Sequence, residues 1–428
     1  MSAVFDPQKE QAAHGIQKRQ GAILYKNISQ LCTCAGGRHR GAAMADAGII
    51  RGGAFVAEGG VFTDVGTQAE LERRHPGIPA VDCGGKLVTP GYIDSHTHLV
   101  FAGERSAEFA MRLQGASYME IMRRGGGIAA TVQATRAASE EQLVAEALPV
   151  LADMLALGVT ACEVKSGYGL DVQTELKQLR AVRALNQMQP VELIPTFLGA
   201  HAVPQGTDAD RYIDYCCAES LPAAAESGLA EFADIFCEQG VFSLRQSERY
   251  LRRAAELGFA CKLHADEMFP LGGAGLAAKL HAVSADHLLK VKEEDIAALA
   301  SSDTVATVLP LTAFCLGEAY APARRLIDGG AALAVGSDYN PGSCRSYAAP
   351  LLFALCCIYM HMRVEEALVA FTANAAAACR REGRLGGIEA GKQADFLVYS
   401  CPSLEFLPYV TGVNLVKAVY KKGVQVYG

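Results

Sequence analysis

The stretch Gly91-Tyr92-Ile93-Asp94-Ser95-His96-Thr97-His98 decides the reading of the fold, because it carries an apolar strand straight into two histidines. In a β-strand, residues two apart point to the same face, so His96 and His98 present their imidazoles to one point. Two imidazoles are half of a metal site. Three later segments offer further ligand-type residues just past a short apolar run: His264 in Lys-Leu-His-Ala-Asp-Glu, His287 in Ser-Ala-Asp-His-Leu, and Asp338 in Leu-Ala-Val-Gly-Ser-Asp-Tyr-Asn-Pro-Gly. A His-x-His alone is a weak signal. Ligand-type residues at four strand ends point to a barrel, whose strand ends gather around one mouth.

Working outward, short apolar runs alternate with helix-length amphipathic segments, the pattern of a parallel α/β sheet. Eight runs read as strands, near residues 92–98, 160–165, 192–198, 233–237, 261–264, 282–287, 304–309 and 332–337, and eight is the barrel number. Residues 140–157 carry a long apolar stripe ending at Gly158, and Asp171 is placed to cap a helix over 171–185. Short β-rich runs separated by Gly-rich turns precede the barrel (22–25, 48–50, 54–57) and follow it (394–399, 416–420). The expected fold class is therefore α/β: a (β/α)8 TIM-like barrel over residues 89–385, with a discontinuous small β-sandwich domain built from both termini. That domain takes residues 21–88 and 386–428, and residues 1–20 read as a mobile N-terminal extension.

Composition narrows the partners. At 428 residues with 50% hydrophobic and 20% charged side chains, the chain suits a compact protein and excludes a disordered one. A formal net charge of −7 gives no phosphate-tracking surface, so nucleic acid is not expected. No segment has the uninterrupted apolar length of a membrane span, and the first twenty residues mix Asp6, Lys9, Glu10, Lys18 and Arg19 without the apolar core of a secretory signal. The 14 cysteines include no Cys-x-x-Cys pair and read as small buried residues in a reducing compartment, which makes the cytoplasm the expected location.

On the barrel reading, His96, His98, His264 and Asp338 form a His3Asp set that suits one divalent ion with room for water. Zinc fits such donors; Fe2+ and Mn2+ take the same ones, so the metal stays open. A divalent ion can lower the pKa of a bound water from 15.7 to about 7, and the remaining machinery must move protons. Glu267, three residues after His264, can reach such a water or a leaving nitrogen, and His287 can bond the same water or an oxygen on which charge develops. Which of the two is the principal base stays open. Taken singly, Asp338 reads as a turn residue before Pro341-Gly342, Glu267 as a surface carboxylate and His287 as a core histidine; their shared placement after strands favours chemistry.

The strand-one His-x-His, strand-five His, strand-six His and strand-eight Asp resemble the amidohydrolase superfamily, whose architecture is such a barrel with a two-ended β-domain. The likeness covers roughly residues 80–400. It also runs through Ala102-Gly103-Glu104-Arg105, Lys165-Ser166-Gly167-Tyr168-Gly169-Leu170, Gly199-Ala200-His201-Ala202-Val203-Pro204, His264-Ala265-Asp266-Glu267 and Gly336-Ser337-Asp338-Tyr339-Asn340-Pro341-Gly342. Within the superfamily these segments are similar to the branch that opens a cyclic amide in L-histidine degradation. The resemblance implies that water opens 4-imidazolone-5-propanoate to N-formimidoyl-L-glutamate, with zinc or iron as the ion, in a homodimer.

It further implies that Arg105, Tyr168 and His201 bind substrate together with Glu267, Asn340, Gly342 and Ser343. A propanoate tail suits a guanidinium fork with hydroxyl or imidazole donors beside it. Many two-metal relatives bridge their ions with a carbamylated lysine ending strand four, but here that strand ends Ile235-Phe236-Cys237-Glu238 and Lys165 lies on strand two. One metal per chain is therefore expected, with Lys165 paired to a neighbouring carboxylate. Two rival readings are a purine or pyrimidine deaminase, which would release ammonia, and a catalytically inactive barrel that binds a metabolite. Glu267 beside an intact ligand set argues against the latter.

Overall fold

In the computed structural model, which describes residues 21–115 and 126–428, the apolar runs assemble into two sheets. The expected extension over residues 1–20 lies outside the described residues. In chain order the strands are β1 (Ile23–Cys32), β2 (Ile49–Glu58), β3 (Val61–Thr67), β4 (Ala80–Pro90), β5 (Tyr92–Asp94), β6 (Val159–Lys165), β7 (Glu192–Ala200), β8 (Phe232–Cys237), β9 (Ala260–Ala265), β10 (Ser284–His287), β11 (Val305–Val308), β12 (Leu333–Val335), β13 (Phe396–Tyr399), β14 (Val416–Lys421) and β15 (Val424–Tyr427). Strands β5 to β12 form an eight-stranded parallel sheet in chain order.

That sheet closes on itself. Asp338 N donates to His96 O and His98 N to Tyr339 O, both at 2.9 Å, so the segment after β12 pairs with the segment after β5. Ser337 N also donates to Asp94 Oδ1 at 2.9 Å. Every residue of β6 is buried, which is why barrel strands read as unbroken apolar runs rather than alternating ones.

Helices cover the outside, and two of them start at clear side-chain caps. The helix Glu140–Ala156 opens on a capping box in which Gln142 N donates to Ser139 Oγ and Ser139 N to Gln142 Oε1. The helix Val172–Met188 opens with Thr174 N donating to Asp171 Oδ1 at 2.8 Å, and it continues past the expected end at 185.

The remaining strands, drawn from both ends of the chain, form one seven-stranded sheet in the order β15-β14-β13-β4-β1-β2-β3. Its buried aromatic core holds Tyr25, Phe55, Phe62 and Phe396, with Tyr25 stacked on Phe55 at 4.9 Å. Because β4 ends at Pro90 and β5 begins at Tyr92, this sheet leads directly into the first barrel strand.

Among the boundaries that differ from expectation, two have a clear cause. The first barrel strand ends at Asp94 instead of His98, because beyond Asp94 the backbone turns its hydrogen bonds to the Asp338–Tyr339 segment at the seam. The runs 48–50 and 54–57 are one strand, β2, since its pairing with β1 continues through Arg51 and Gly53 where a turn is expected.

Candidate active site

Barrel closure brings His96, His98 and Asp338 together at one buried point, and His264 joins His96 and His287 in an adjoining group. His96 Nε2 and His98 Nε2 each lie 3.6 Å from Asp338 Oδ1, and His264 Nε2 lies 3.4 Å from His98 Nε2. Donors arranged tetrahedrally at about 2.1 Å from a small cation are themselves about 3.4 Å apart, so these spacings fit ligands around one ion. The outer nitrogens support the same arrangement. His96 Nδ1 is 2.7 Å from Asp286 Oδ2, so its proton sits there and the Nε2 lone pair points inward. His264 Nδ1 lies 3.0 Å from Asp234 Oδ2, at an angle short of a good hydrogen bond.

Electrostatics point the same way. Burial, helped by Lys165 and the neighbouring imidazoles, pulls the pKa values of His96, His98 and His264 well below the usual histidine value, which leaves them neutral as metal ligands must be. Burial pushes Asp338 up to about 7 despite the hydrogen bond from Thr312 Oγ1 at 2.7 Å. A divalent cation relieves that strain on the carboxylate. His96 Nε2, His98 Nδ1 and both nitrogens of His287 are buried without a hydrogen-bond partner, each a cost of about 1–3 kcal/mol. The donor set therefore fits a divalent metal ion.

His287 closes β10 beside these ligands, its ring centroid 5.1 Å from that of His264. Burial lowers its pKa to about 4, so it is neutral at pH 7. Its Nδ1 lies 3.6 Å from Glu267 Oε2. Burial first, then the carboxylates of Asp338 and Glu238, push Glu267 up to about 8. A group so poised can both take and give a proton near neutrality.

The expected substrate residues line one side of this centre. Tyr168 is buried, with its ring centroid 5.8 Å from His98, and His201 stacks on His98 at 5.0 Å. His201 Nδ1 lies 3.0 Å from Gly167 O, which ties it to the loop that carries Tyr168. Asn340 Nδ2 donates to Asp338 O at 2.7 Å and to Ser343 Oγ at 2.9 Å, while Asn340 Oδ1 accepts from Gly342 N and Ser343 N at 2.8 Å. Arg105 reaches the group indirectly. Its guanidinium lies against Gly342, so closely that a Cβ there would collide with Nη1, and Glu108 Oε2 holds its other edge at 2.8 Å.

Several supporting residues escape a reading aimed at ligands. Glu175 accepts from the backbone of Gly167, Gly169 and Leu170 at 2.7–2.8 Å and so shapes the Tyr168 loop. Glu238 accepts from Met268 N at 2.8 Å and braces the turn after Glu267. Lys165 pairs with Glu163 and Asp234 at 2.8 Å, the expected kind of partner. The available signal was charge at alternate positions in otherwise apolar strands: Glu163 with Lys165, and Lys262 with His264.

Residues 107–427 match the amidohydrolase family. The chain is 50% identical to the imidazolonepropionase of Parabacteroides distasonis over 409 residues, covering 94% of this chain and 98% of that one. It is 46% identical to the imidazolonepropionase of Clostridium tetani over 414 residues, covering 96% and 99%. Among solved structures, a zinc-bound adenosine deaminase from Xanthomonas campestris superposes with a TM-score of 0.69 over 95% of this chain and 92% of that one; its 17% identity makes this a likeness of fold. The deaminase and inert-barrel readings gain no support beyond that shared fold. Half of its residues shared with enzymes of nearly its own length, together with the family match over residues 107–427, place the chain in the amidohydrolase family, to which it belongs alongside the imidazolonepropionases.

Proposed function

We propose that this chain hydrolyses the cyclic amide of 4-imidazolone-5-propanoate to N-formimidoyl-L-glutamate in L-histidine degradation, with one zinc or iron ion per subunit. The observation that carries the reading is the identity of about half its residues with imidazolonepropionases over nearly the whole of both chains. His96, His98, His264 and Asp338 would hold the ion. When bound, it acidifies water and polarises the ring carbonyl.

The protein's own groups supply the rest. Glu267 accepts the proton of the attacking water on its carboxylate and returns it to the ring nitrogen as the C–N bond breaks. His287, neutral and facing Glu267, hydrogen-bonds to the carbonyl oxygen as negative charge grows there. Arg105 pairs with the propanoate, while Tyr168 and His201 close the opposite side. Asn340, Gly342 and Ser343 shape the loop on which Arg105 rests, so the reacting carbon is held over the water. The residues 21–88 and 386–428 form the smaller domain of this proposal, and the assembly is a cytoplasmic homodimer. Among the described residues no helix is long and apolar enough to cross a membrane.

Freshly prepared imidazolone-propanoate, followed by its ultraviolet absorbance with and without a chelator, tests the reading. The expected result is loss of absorbance that the chelator stops, with no ammonia released because both nitrogens remain in the product. Ammonia release, or an inert metal-replete protein, rules the proposal out.

A further inference from the structure

Below the four proposed ligands, five charged side chains fill the barrel interior. Glu163, Lys165, Asp234, Lys262 and Asp286 are each 0% exposed. Lys165 Nζ donates to Glu163 Oε1 and Asp234 Oδ2 at 2.8 Å and lies 3.5 Å from Asp286 Oδ2. Lys262 Nζ donates to Glu163 Oε2 at 2.7 Å and to Ser95 O at 3.2 Å. Thr196 Oγ1 adds a bond to Glu163 Oε1 at 2.5 Å. Packed apolar side chains of similar volume would stabilise a barrel interior at least as well as buried ion pairs, so stability alone does not account for the cluster.

Its geometry does. Two of its carboxylates reach upward to the ligands: Asp286 Oδ2 accepts from His96 Nδ1 at 2.7 Å, while Asp234 holds His264 through the 3.0 Å contact to Nδ1 and a 3.2 Å bond from its backbone N–H. The two ammonium groups hold those carboxylates in turn. Lys165 Nζ lies 2.8 Å from Asp234 Oδ2 and 3.5 Å from Asp286 Oδ2, and Lys262 Nζ lies 4.0 Å from Asp286 Oδ2.

We infer that this cluster is a positioning device for the proposed metal ligands, in which Asp286 and Asp234 orient His96 and His264, and Lys165 and Lys262 lock those carboxylates in place. Asp286, Asp234, Glu163, Lys165 and Lys262 are positioning residues, which act through His96 and His264. The inference rests on the ligand assignment proposed above. It also assigns Lys165 a use other than bridging two ions: its ammonium group fills the space between three carboxylates that a second cation would need.

The test is a titration of metal-stripped protein with zinc alone, in competition with a chromogenic chelator. Wild type binds one zinc and Asp338→Ala loses it, which checks the ligand assignment separately. Asp286→Asn and Asp234→Asn keep the shape of the side chain but bind zinc roughly 10- to 100-fold more weakly. At saturating zinc these variants show reduced kcat with unchanged KM, because the substrate contacts are untouched. Thr196→Val, which removes only the hydroxyl holding Glu163, remains folded and shows a smaller loss of affinity. Unchanged zinc affinity in every variant that folds, with or without a lower melting temperature, overturns the inference while leaving the ligand assignment standing. A wild type that binds no zinc ends both.

Discussion

A buried carboxylate with a raised pKa makes the chemistry of Glu267 measurable. Burial first, and the negative charge of Asp338 and Glu238 next, push it up to about 8, against about 4.3 for an exposed glutamate. A base works only when ionised, so kcat/KM should fall as pH drops through that pKa. A cation held by His96, His98, His264 and Asp338 draws the value down, which sets the acid limb between about 4.3 and 8. Glu267→Gln keeps size and hydrogen bonding but has no lone pair basic enough to take a proton. It should bind zinc like the wild type, lose about 10²- to 10⁴-fold in kcat, and show no acid limb in what activity remains. A wild-type acid limb that persists unchanged in the variant would assign the base role to another group, with His287 the first candidate. Asp338 and His287 also hold left-handed backbone, with φ of 52° and 79°. Such conformations cost of order 1–3 kcal/mol and cluster where geometry serves function.

At the scale of elements, the strands explain why the ligands converge and the loops explain what they face. The eight barrel strands were legible because strands buried on both faces read as short apolar runs, and four of those runs carried a ligand-type residue near the same end. Register at the seam was not legible. The end of β5 depends on hydrogen bonds to residues 338 and 339, more than two hundred positions away, and no local propensity records that partner. The cluster under the ligands went unread for a related reason: Glu163 and Asp286 acquire meaning only once closure sets them beside Lys165, Lys262 and His96. The loop after β12 is the clearest case of an element built around a single small residue. Gly342 leaves room for the Arg105 guanidinium, and Arg112 Nη2 donates to its carbonyl at 3.0 Å. Gly342→Ala should push the guanidinium aside without disturbing Asp338, so zinc content and kcat hold. KM for the carboxylate-bearing substrate should rise about 10- to 100-fold, the worth of a charged hydrogen bond. A normal KM in this variant, measured by steady-state kinetics, would free Arg105 from its role.

For the whole molecule, the proposed metal ligands do more than mark a site, because they straddle the place where the barrel closes. His96 and His98 follow the first barrel strand and Asp338 follows the last, while the seam between β5 and β12 is held by a few bonds: Asp338 N to His96 O, His98 N to Tyr339 O, and Ser337 N to Asp94 Oδ1. Elsewhere in the barrel each neighbouring pair of strands has a ladder of at least three residue pairs, five in the register of β6 with β7. A cation bound by these side chains therefore ties the first strand to the last. Ligand that binds only the folded state stabilises it by about 2.7 kcal/mol at a hundredfold excess over Kd, and that energy acts here across the seam. Stripping the metal should lower the melting temperature and speed amide exchange most in residues 92–98 and 333–340. Exchange in the seven-stranded sheet, whose aromatic core of Tyr25, Phe55, Phe62 and Phe396 lies apart from the ligands, should change little. Hydrogen exchange followed by mass spectrometry, on the zinc-loaded and stripped protein, separates the two regions. Uniform loss of protection would make the ion a general stabiliser, and no change at the seam despite bound zinc would show that the backbone bonds close the barrel unaided.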